Sequence, residues 1–426
     1  MLNFPTIEEP LSYADFYVRF IVPNLPCILD SWVTEGWVAR SLWMSVSGGV
    51  SLEKILEDQT CPNLCVADCT RVEFDAHPMC SMSSDEFLTY WRSFHDGTDN
   101  RLLYLKDWHY FKTAKNKEYY RLPELFSSDW LNEFWSLRKD VDDDYRFVYL
   151  GPKGTWTPLH ADVYHSYSWS ANIVGIKRWW FFPPGEEKKL CDKNGHVPIE
   201  VRGLPLDKMD VRHFVIEQHP GQIVFVPSGW YHEVLNLTDC VSINHNWFNA
   251  TNVDWIWEHL QDQLRLVQES TSDVRNTPGW HEQCQICLRA LAGLNFPEFL
   301  TILKYIILTR WPNKNTTSSA RKAIESMLKN SDNSFAALDE ALDAKLSGAI
   351  DKDPLALRSA GEHQDQWKEV MRAQPTVTSE SSKTPEWIRS HDFSSAVRVA
   401  RQVLKHPDTE LLQLAKRPLK DYFTEI

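Results

Sequence analysis

The spacing of apolar residues changes character twice along this chain. Up to about residue 144, helical and strand-like patterns alternate. Ser12-Tyr-Ala-Asp15 predicts a helix start of capping-box type, with Phe16 and Phe20 following on one face. Pro23 and Pro26 end that helix, and Cys27-Ile-Leu reads as a short strand. Ser51-Leu-Glu-Lys-Ile-Leu predicts a short helix and Asn63-Leu-Cys-Val-Ala-Asp a strand. Ser84-Asp-Glu-Phe-Leu-Thr-Tyr-Trp predicts a helix whose acidic first turn suits the positive end of its dipole. Leu103 and Leu105 alternate with Tyr104, the period of a strand, and Trp130, Phe134 and Trp135 mark an aromatic helix. From Tyr145 to about Phe248 the apolar runs are short and separated by Gly and Pro, the pattern of a barrel or sandwich. After Asn249 the period turns helical: Val253–Val267, then Pro278–Arg310 interrupted near Gly293, further helices to Leu346, and a last one over Ser394–Lys405. Residues 350–385, with Gly361, Pro375 and a Ser/Thr cluster, read as a mobile linker. The expectation is a domain over 1–270 with its strand core at about 145–248, and a helical C-terminal region over 271–426.

Composition adds little to this picture except at the level of partners. Hydrophobic residues make up 43% of the 426, ample for a core, and 19 Trp suit aromatic-lined clefts. A formal charge of −13 argues against an extended nucleic-acid surface and is compatible with a basic protein partner. The N-terminus has no basic stretch followed by an apolar run, and no run approaches the roughly 20 apolar residues that span a bilayer. Nine cysteines without a secretory signal point to free thiols in a reducing compartment. The expected location is the cytoplasm, with the nucleus as the alternative.

Candidate chemistry concentrates in the strand-rich middle. His-x-Asp on a strand puts both side chains on one face, but about one such triplet arises by chance in a chain with this many His. There are three: His160-Ala-Asp162, His363-Gln-Asp365 and His406-Pro-Asp408. Proline argues against a strand in the third and polar, helix-favouring surroundings against one in the second, so context selects the first. His232 follows the tight turn Pro227-Ser-Gly-Trp and faces the same side as Val234. Two imidazoles and one carboxylate form the facial triad of non-haem Fe(II) oxygenases, which leaves three positions open. Lys177 lies in an apolar strand where burial without an anion is costly, and alternation allows either it or Arg178 to point inward. Thr157 either offers a hydroxyl at the same mouth or makes the turn into the strand. Asn244 and Asn246 share a face, with His245 on the other. Two zinc-like spacings, Cys61/Cys65/Cys69 and His281/Cys284/Cys287, lack a complete ligand set nearby and read as core thiols and as a buried helix face respectively.

Three segments in order resemble the JmjC family of Fe(II)- and 2-oxoglutarate-dependent oxygenases: Thr157-Pro-Leu-His160-Ala-Asp162, Gly175-Ile-Lys177-Arg-Trp-Trp-Phe-Phe-Pro-Pro and Val226-Pro-Ser-Gly-Trp-Tyr-His232-Glu-Val-Leu-Asn-Leu. The resemblance implies an α+β protein, mainly β: a double-stranded β-helix of the cupin jelly-roll type, with N-terminal helices and a helical C-terminal region. It assigns His160, Asp162 and His232 to iron, Thr157, Lys177 and Tyr104 to the distal carboxylate of 2-oxoglutarate, and Asn246 to the iron-bound end of that cosubstrate. Dioxygen is the third reactant. Ser12-Tyr-Ala-Asp-Phe, Tyr104-Leu-Lys-Asp-Trp-His and Phe126-Ser-Ser-Asp-Trp-Leu-Asn-Glu-Phe-Trp resemble one group of hydroxylases within the family. That closer likeness implies hydroxylation of a lysine in the eukaryotic peptide-chain release factor. Lysine demethylation and a non-catalytic scaffold are the alternatives. The same likeness allows a homodimer through the C-terminal helices. Tyr164, His165, Tyr167 and Trp169 are candidate walls of the substrate pocket.

Overall fold

The computed structural model describes residues 4–60, 63–73, 76–138, 144–312, 335–353 and 386–412, with Asn315, Thr317, Ser318, Lys322 and Ala356 between them. The expected linker, Cys61 and the His363-Gln-Asp365 triplet lie wholly or mostly outside the described residues. Described residues fall into two compact units. One comprises the chain up to Leu125 with Asp143–Asp162 and Tyr167–Asn246; the other comprises Phe126–Asp142, Val163–Ser166 and the chain from Trp247 onward.

The first unit is built from two sheets. Before the strand-rich middle come β1 (Thr6–Ile7), β2 (Cys27–Leu29), β3 (Asn63–Asp68), β4 (Met79–Ser83) and β5 (Leu103–Trp108). The middle supplies β6 (Arg146–Gly151), β7 (Trp156–His160), β8 (Tyr167–Val174) and β9 (Lys177–Phe182). It continues with β10 (Phe214–Gln218), β11 (Ile223–Val226), β12 (Tyr231–Asn236) and β13 (Cys240–Trp247). The smaller sheet has the order β10-β9-β12-β7, and the larger one β1-β2-β11-β8-β13-β6-β5-β3-β4. This is the cupin-type arrangement, with the first five strands widening one of its two sheets. Between the sheets Ile28, Val224 and Val226 pack on Trp179, Phe181, Val234 and Trp230. The outer face of the smaller sheet buries Leu159, Trp180 and Phe182 under Leu190, Val201, Leu206 and Val211. Alternation along β9 thus sends Lys177, Trp179 and Phe181 inward, and Arg178 pairs with Glu217 at the surface, 2.6 Å away. Residues ahead of the sheets behave as their pattern predicts. Ser12 caps the first helix by accepting from the Asp15 amide, and Ser83 with Glu86 forms a full capping box on the Ser84–His95 helix.

Gly175 makes the turn that delivers Lys177. Its φ of 88° is left-handed, and an added Cβ would overlap the Asp239 carbonyl oxygen. Gly175→Ala is therefore expected to lower unfolding free energy by more than about 2 kcal/mol, combining the left-handed penalty with displacement of the β12–β13 turn. A denaturant midpoint shifted by less than experimental error contradicts this.

The second unit is helical. Val253–Ser270 buries Ile256, Leu260, Leu264 and Val267 and packs on the Trp280–Ala292 and Glu386–Lys405 helices. Phe296–Arg310 is buried along almost its whole length. Its neighbours include the short Trp130–Trp135 helix, with Phe134 against Tyr305. The expected domain edge near residue 270 therefore moves to about 247: the amphipathic face of Val253–Ser270 is satisfied by helices of its own unit. The Glu386–Lys405 helix also begins earlier than the predicted Ser394. No single described helix is long and apolar enough to cross a membrane.

Candidate active site

A register shift in the β7–β12 ladder shapes the site. His232 lies opposite His160, but Val234 lies opposite Thr157, so β7 carries one residue more than its partner. Three residues apart on a regular strand, Thr157 and His160 would point to opposite faces. The bulge returns both to the interior and turns Leu159 outward. His160 and His232 then meet with ring centroids 4.3 Å apart, and Asp162 joins them: candidate ligand atoms of the three lie within 4.8 Å of one another. They are the group of this kind among the described residues.

Hydrogen bonds orient each ligand. His160 Nδ1 is 2.8 Å from the Pro158 carbonyl and His232 Nδ1 is 3.1 Å from the Trp230 carbonyl. A carbonyl only accepts, so both Nδ1 atoms carry the proton and both Nε2 lone pairs are left for a metal. Burial, and next the His160 ring, push His232 down to about 4, so it is neutral at physiological pH. The Asp162 carboxylate accepts from Ser168 Oγ at 2.7 Å and from Asn246 Nδ2 at 3.0 Å, one donor on each oxygen. Two imidazoles held by their Nδ1 atoms and a fixed carboxylate are the donor set that Fe(II) takes in this chemistry. Removing either support, as Ser168→Ala or Asn246→Ala, is expected to weaken iron binding by ~10–100-fold. Metal titration followed by intrinsic fluorescence measures this, and affinities within twofold of the parent would contradict it.

Deeper in the cleft, Lys177 is 1% exposed. Its Nζ donates to Asn236 Oδ1 at 3.0 Å and to Tyr104 Oη at 3.3 Å. Asn236 in turn donates to Thr155 Oγ1 at 2.8 Å. The partners of this amine among the described residues are neutral, and burial holds its pKa below the usual lysine range. A buried cation with neutral partners is a place for an anion. Tyr104, Thr157, Lys177, Asn246 and the three candidate ligands line one cleft of about 460 Å³, including its open mouth.

Several expectations need adjusting. Asn246 lines the cleft, and its Nδ2 donates to Asp162. Of the four expected wall residues only Trp169 lines the cleft. Tyr164 and His165 have left-handed backbones, with φ of 58° and 56°, and pack on Gly293 and His259 respectively; Tyr167 is buried against Phe225. Asn236 and Ser168 were not anticipated. Strict alternation from His232 through Val234 reaches Asn236, so its signal was present. His281 pairs with Asp408 at 2.7 Å and does not gather with Cys284 and Cys287; Cys69 and Cys284 are buried as expected, but Cys65 and Cys287 are exposed, so neither set is wholly a core face.

Comparison with known proteins agrees with the geometry. The family described as JmjC domain, hydroxylase, matches residues 147–247. The 2-oxoglutarate and iron-dependent oxygenase JMJD4 of Mus musculus is 43% identical over 320 residues, 72% of this chain and 74% of the relative. The JMJD4 homolog of Drosophila melanogaster is 37% identical over 332 residues, 70% of this chain and 77% of its own. Arginine-specific demethylase JMJ20 of Arabidopsis thaliana is 39% identical over 315 residues, 69% of this chain and 68% of its own. With its two imidazoles, its carboxylate and its buried amine in one cupin cleft, this chain belongs to the JmjC-domain 2-oxoglutarate- and iron-dependent oxygenases.

Proposed function

We propose that the chain is a protein hydroxylase that oxidises a lysine side-chain carbon of the eukaryotic peptide-chain release factor. The observation that carries the reading is the convergence of His160, Asp162, His232 and Lys177 in a chain similar over most of its length to JMJD4 oxygenases. In this reading His160 and His232, through Nε2, and Asp162 hold iron. Lys177, with Tyr104 and Thr157, takes the distal carboxylate of 2-oxoglutarate, a charge-assisted contact at a buried amine. Asn246 fixes Asp162 beside the cosubstrate's iron-bound end. Bound iron with 2-oxoglutarate and dioxygen supplies the oxidation: one oxygen atom enters the substrate C–H bond, the other enters succinate, and carbon dioxide leaves. The chain's own residues hold the reactants, and Trp169, Trp179 and Val234 give the cleft apolar walls that limit water. The same reading places the protein in the cytoplasm with a protein partner, consistent with its acidic balance.

A second reading is removal of a methyl group from a basic side chain, favoured by the similarity to an arginine-specific demethylase. Incubation of the full chain with Fe(II), 2-oxoglutarate and release-factor peptides, followed by mass spectrometry, separates the two. Gain of one oxygen on lysine supports hydroxylation. Loss of a methyl group from a methylated peptide, with formaldehyde release, supports the alternative. Succinate no higher than background with any of these peptides sinks both and leaves a scaffold.

A further inference from the structure

Strand β5 carries a feature that holding iron and 2-oxoglutarate does not require. Its ladder with β6 pairs Leu105 with Leu150 and resumes with Trp108 opposite Val148. Lys106 and Asp107 therefore share a single partner position, that of Tyr149, and form a β-bulge. Asp107 absorbs the extra residue with a φ of 54°, a left-handed conformation that non-glycine residues adopt at local cost and that clusters near functional sites. The bulge brings the Asp107 carboxylate to Tyr149, whose hydroxyl donates to Oδ1 at 2.6 Å.

Tyr149 is part of the cleft. It lines the same cavity as His160 and Asp162, and its ring meets that of Tyr104 edge-on at 5.9 Å. Register places Tyr149 opposite Ser242 and Phe147 opposite Asn244, and Asn244 also lines the cleft. Asp107 stands at the other end of this hydrogen bond with its side chain 49% exposed. One end of the pair is thus inside the cleft and the other is at solvent. Burial, and next the Asp107 charge, keep the phenol well above its ordinary pKa, so it stays a neutral donor. Among the described residues, the ion pair of Asp107 Oδ2 is with Lys106 Nζ at 3.9 Å, a loose pair that a better-placed cation displaces readily. Asp162 is the acid of the cleft lining and belongs to the candidate ligand set, whereas Asp107 stands outside that set and joins the cleft through the Tyr149 hydroxyl.

We propose that Asp107, held on Tyr149 by the β5 bulge, receives the cationic end of the substrate side chain and selects for an ammonium group there. The assignment rests on the lysine reading above. A hydroxylated carbon lies along the side chain, and the ammonium beyond it needs a counter-charge that neither the ligand set nor Lys177 provides. Tyr149 fixes the carboxylate at the edge of the cleft and offers its own oxygen lone pairs as a second acceptor.

The test uses the full chain with Fe(II) and 2-oxoglutarate, and two release-factor peptides identical except for lysine or norleucine at the modified position. The norleucine peptide is assayed as a competitor. The parent enzyme is expected to bind the lysine peptide at least ~10-fold more tightly, the worth of one hydrogen-bonded charge. In Asp107→Asn that preference falls to within about threefold, KM for the lysine peptide rises, kcat changes less, and Asp107→Glu restores part of the preference. Asparagine accepts the left-handed conformation, so the variant is expected to fold, and its unfolding midpoint checks this. Asp107→Asn with the parent's lysine preference overturns the assignment and leaves the bulge a structural brace. A parent enzyme that leaves the lysine peptide unmodified overturns the functional reading itself, a distinguishable result.

Discussion

His232→Ala is expected to abolish iron-dependent turnover of 2-oxoglutarate, with a fall of at least ~100-fold. Losing one outer support of a metal ligand already costs up to about that factor, and here an entire ligand goes. Two ligands would remain on a site whose third arm has become a cavity. His160→Ala is expected to behave alike, because the two residues stand opposite each other in the β7–β12 ladder with their rings in contact. Folding is expected to survive. His232 is neutral when buried, so its removal strands no charge, although the Trp230 carbonyl loses its donor. The check is twofold: iron per chain by elemental analysis, and succinate formed per unit time. A His232→Ala protein with parental iron content and succinate within threefold of the parent would show that the metal is held elsewhere.

The second large effect separates binding from folding. Lys177→Met is expected to raise KM for 2-oxoglutarate by ~10–100-fold, since hydrogen bonds to a charged group are worth about 1.5–3 kcal/mol. In the cosubstrate-free protein the same change should leave stability unaltered or improved, because a buried cation with only Asn236 and Tyr104 as partners gives way to an apolar chain of similar length. The pH dependence follows from the direction of the shift. The folded value of Lys177 lies below its ordinary 10.5. Between the folded value and 10.5 the unfolded chain binds more protons at this site than the native one. The lysine's contribution to stability therefore rises with pH across that window and is flat below it. A dicarboxylate opposite the amine raises the folded value, so cosubstrate binding within the window takes up a proton. Calorimetry in buffers of different ionisation enthalpy measures that uptake. An unchanged KM in Lys177→Met, or no proton uptake with the parent, speaks against Lys177 as the anchor.

Much of the site was legible because its residues sit on strands whose period is simple. His232 and Val234 share a face, Lys177 and Trp179 share another, and both pairs point inward as alternation requires. The Asn244–Asn246 face also reached the cleft as expected. What could not be read locally are the departures from that period. Thr157 and His160 lie on one face only because β7 carries an extra residue opposite β12. Asp107 meets Tyr149 only because β5 carries one opposite β6. A bulge is decided by the pairing of two distant strands, so neither sequence segment announces it alone. Tyr164 and His165 failed as pocket walls for a related reason: two successive left-handed residues send the chain where no two-residue period would take it. The joining of β1–β5 to the larger sheet was likewise non-local; each strand was visible, its neighbour was not.

The helical unit is assembled from three separate stretches, two of them short segments lying between strands of the other unit. During synthesis the Trp130–Trp135 helix leaves the ribosome long before Phe248 and Tyr305, the rings that cover Trp130 and Phe134, have been made. Nascent chains therefore carry an uncovered aromatic surface over more than a hundred residues of elongation, a stage at which chaperone capture competes with aggregation. For the same reason a recombinant fragment cut after β13 retains those aromatics without their cover. Such a fragment is expected to precipitate where the whole chain stays in solution.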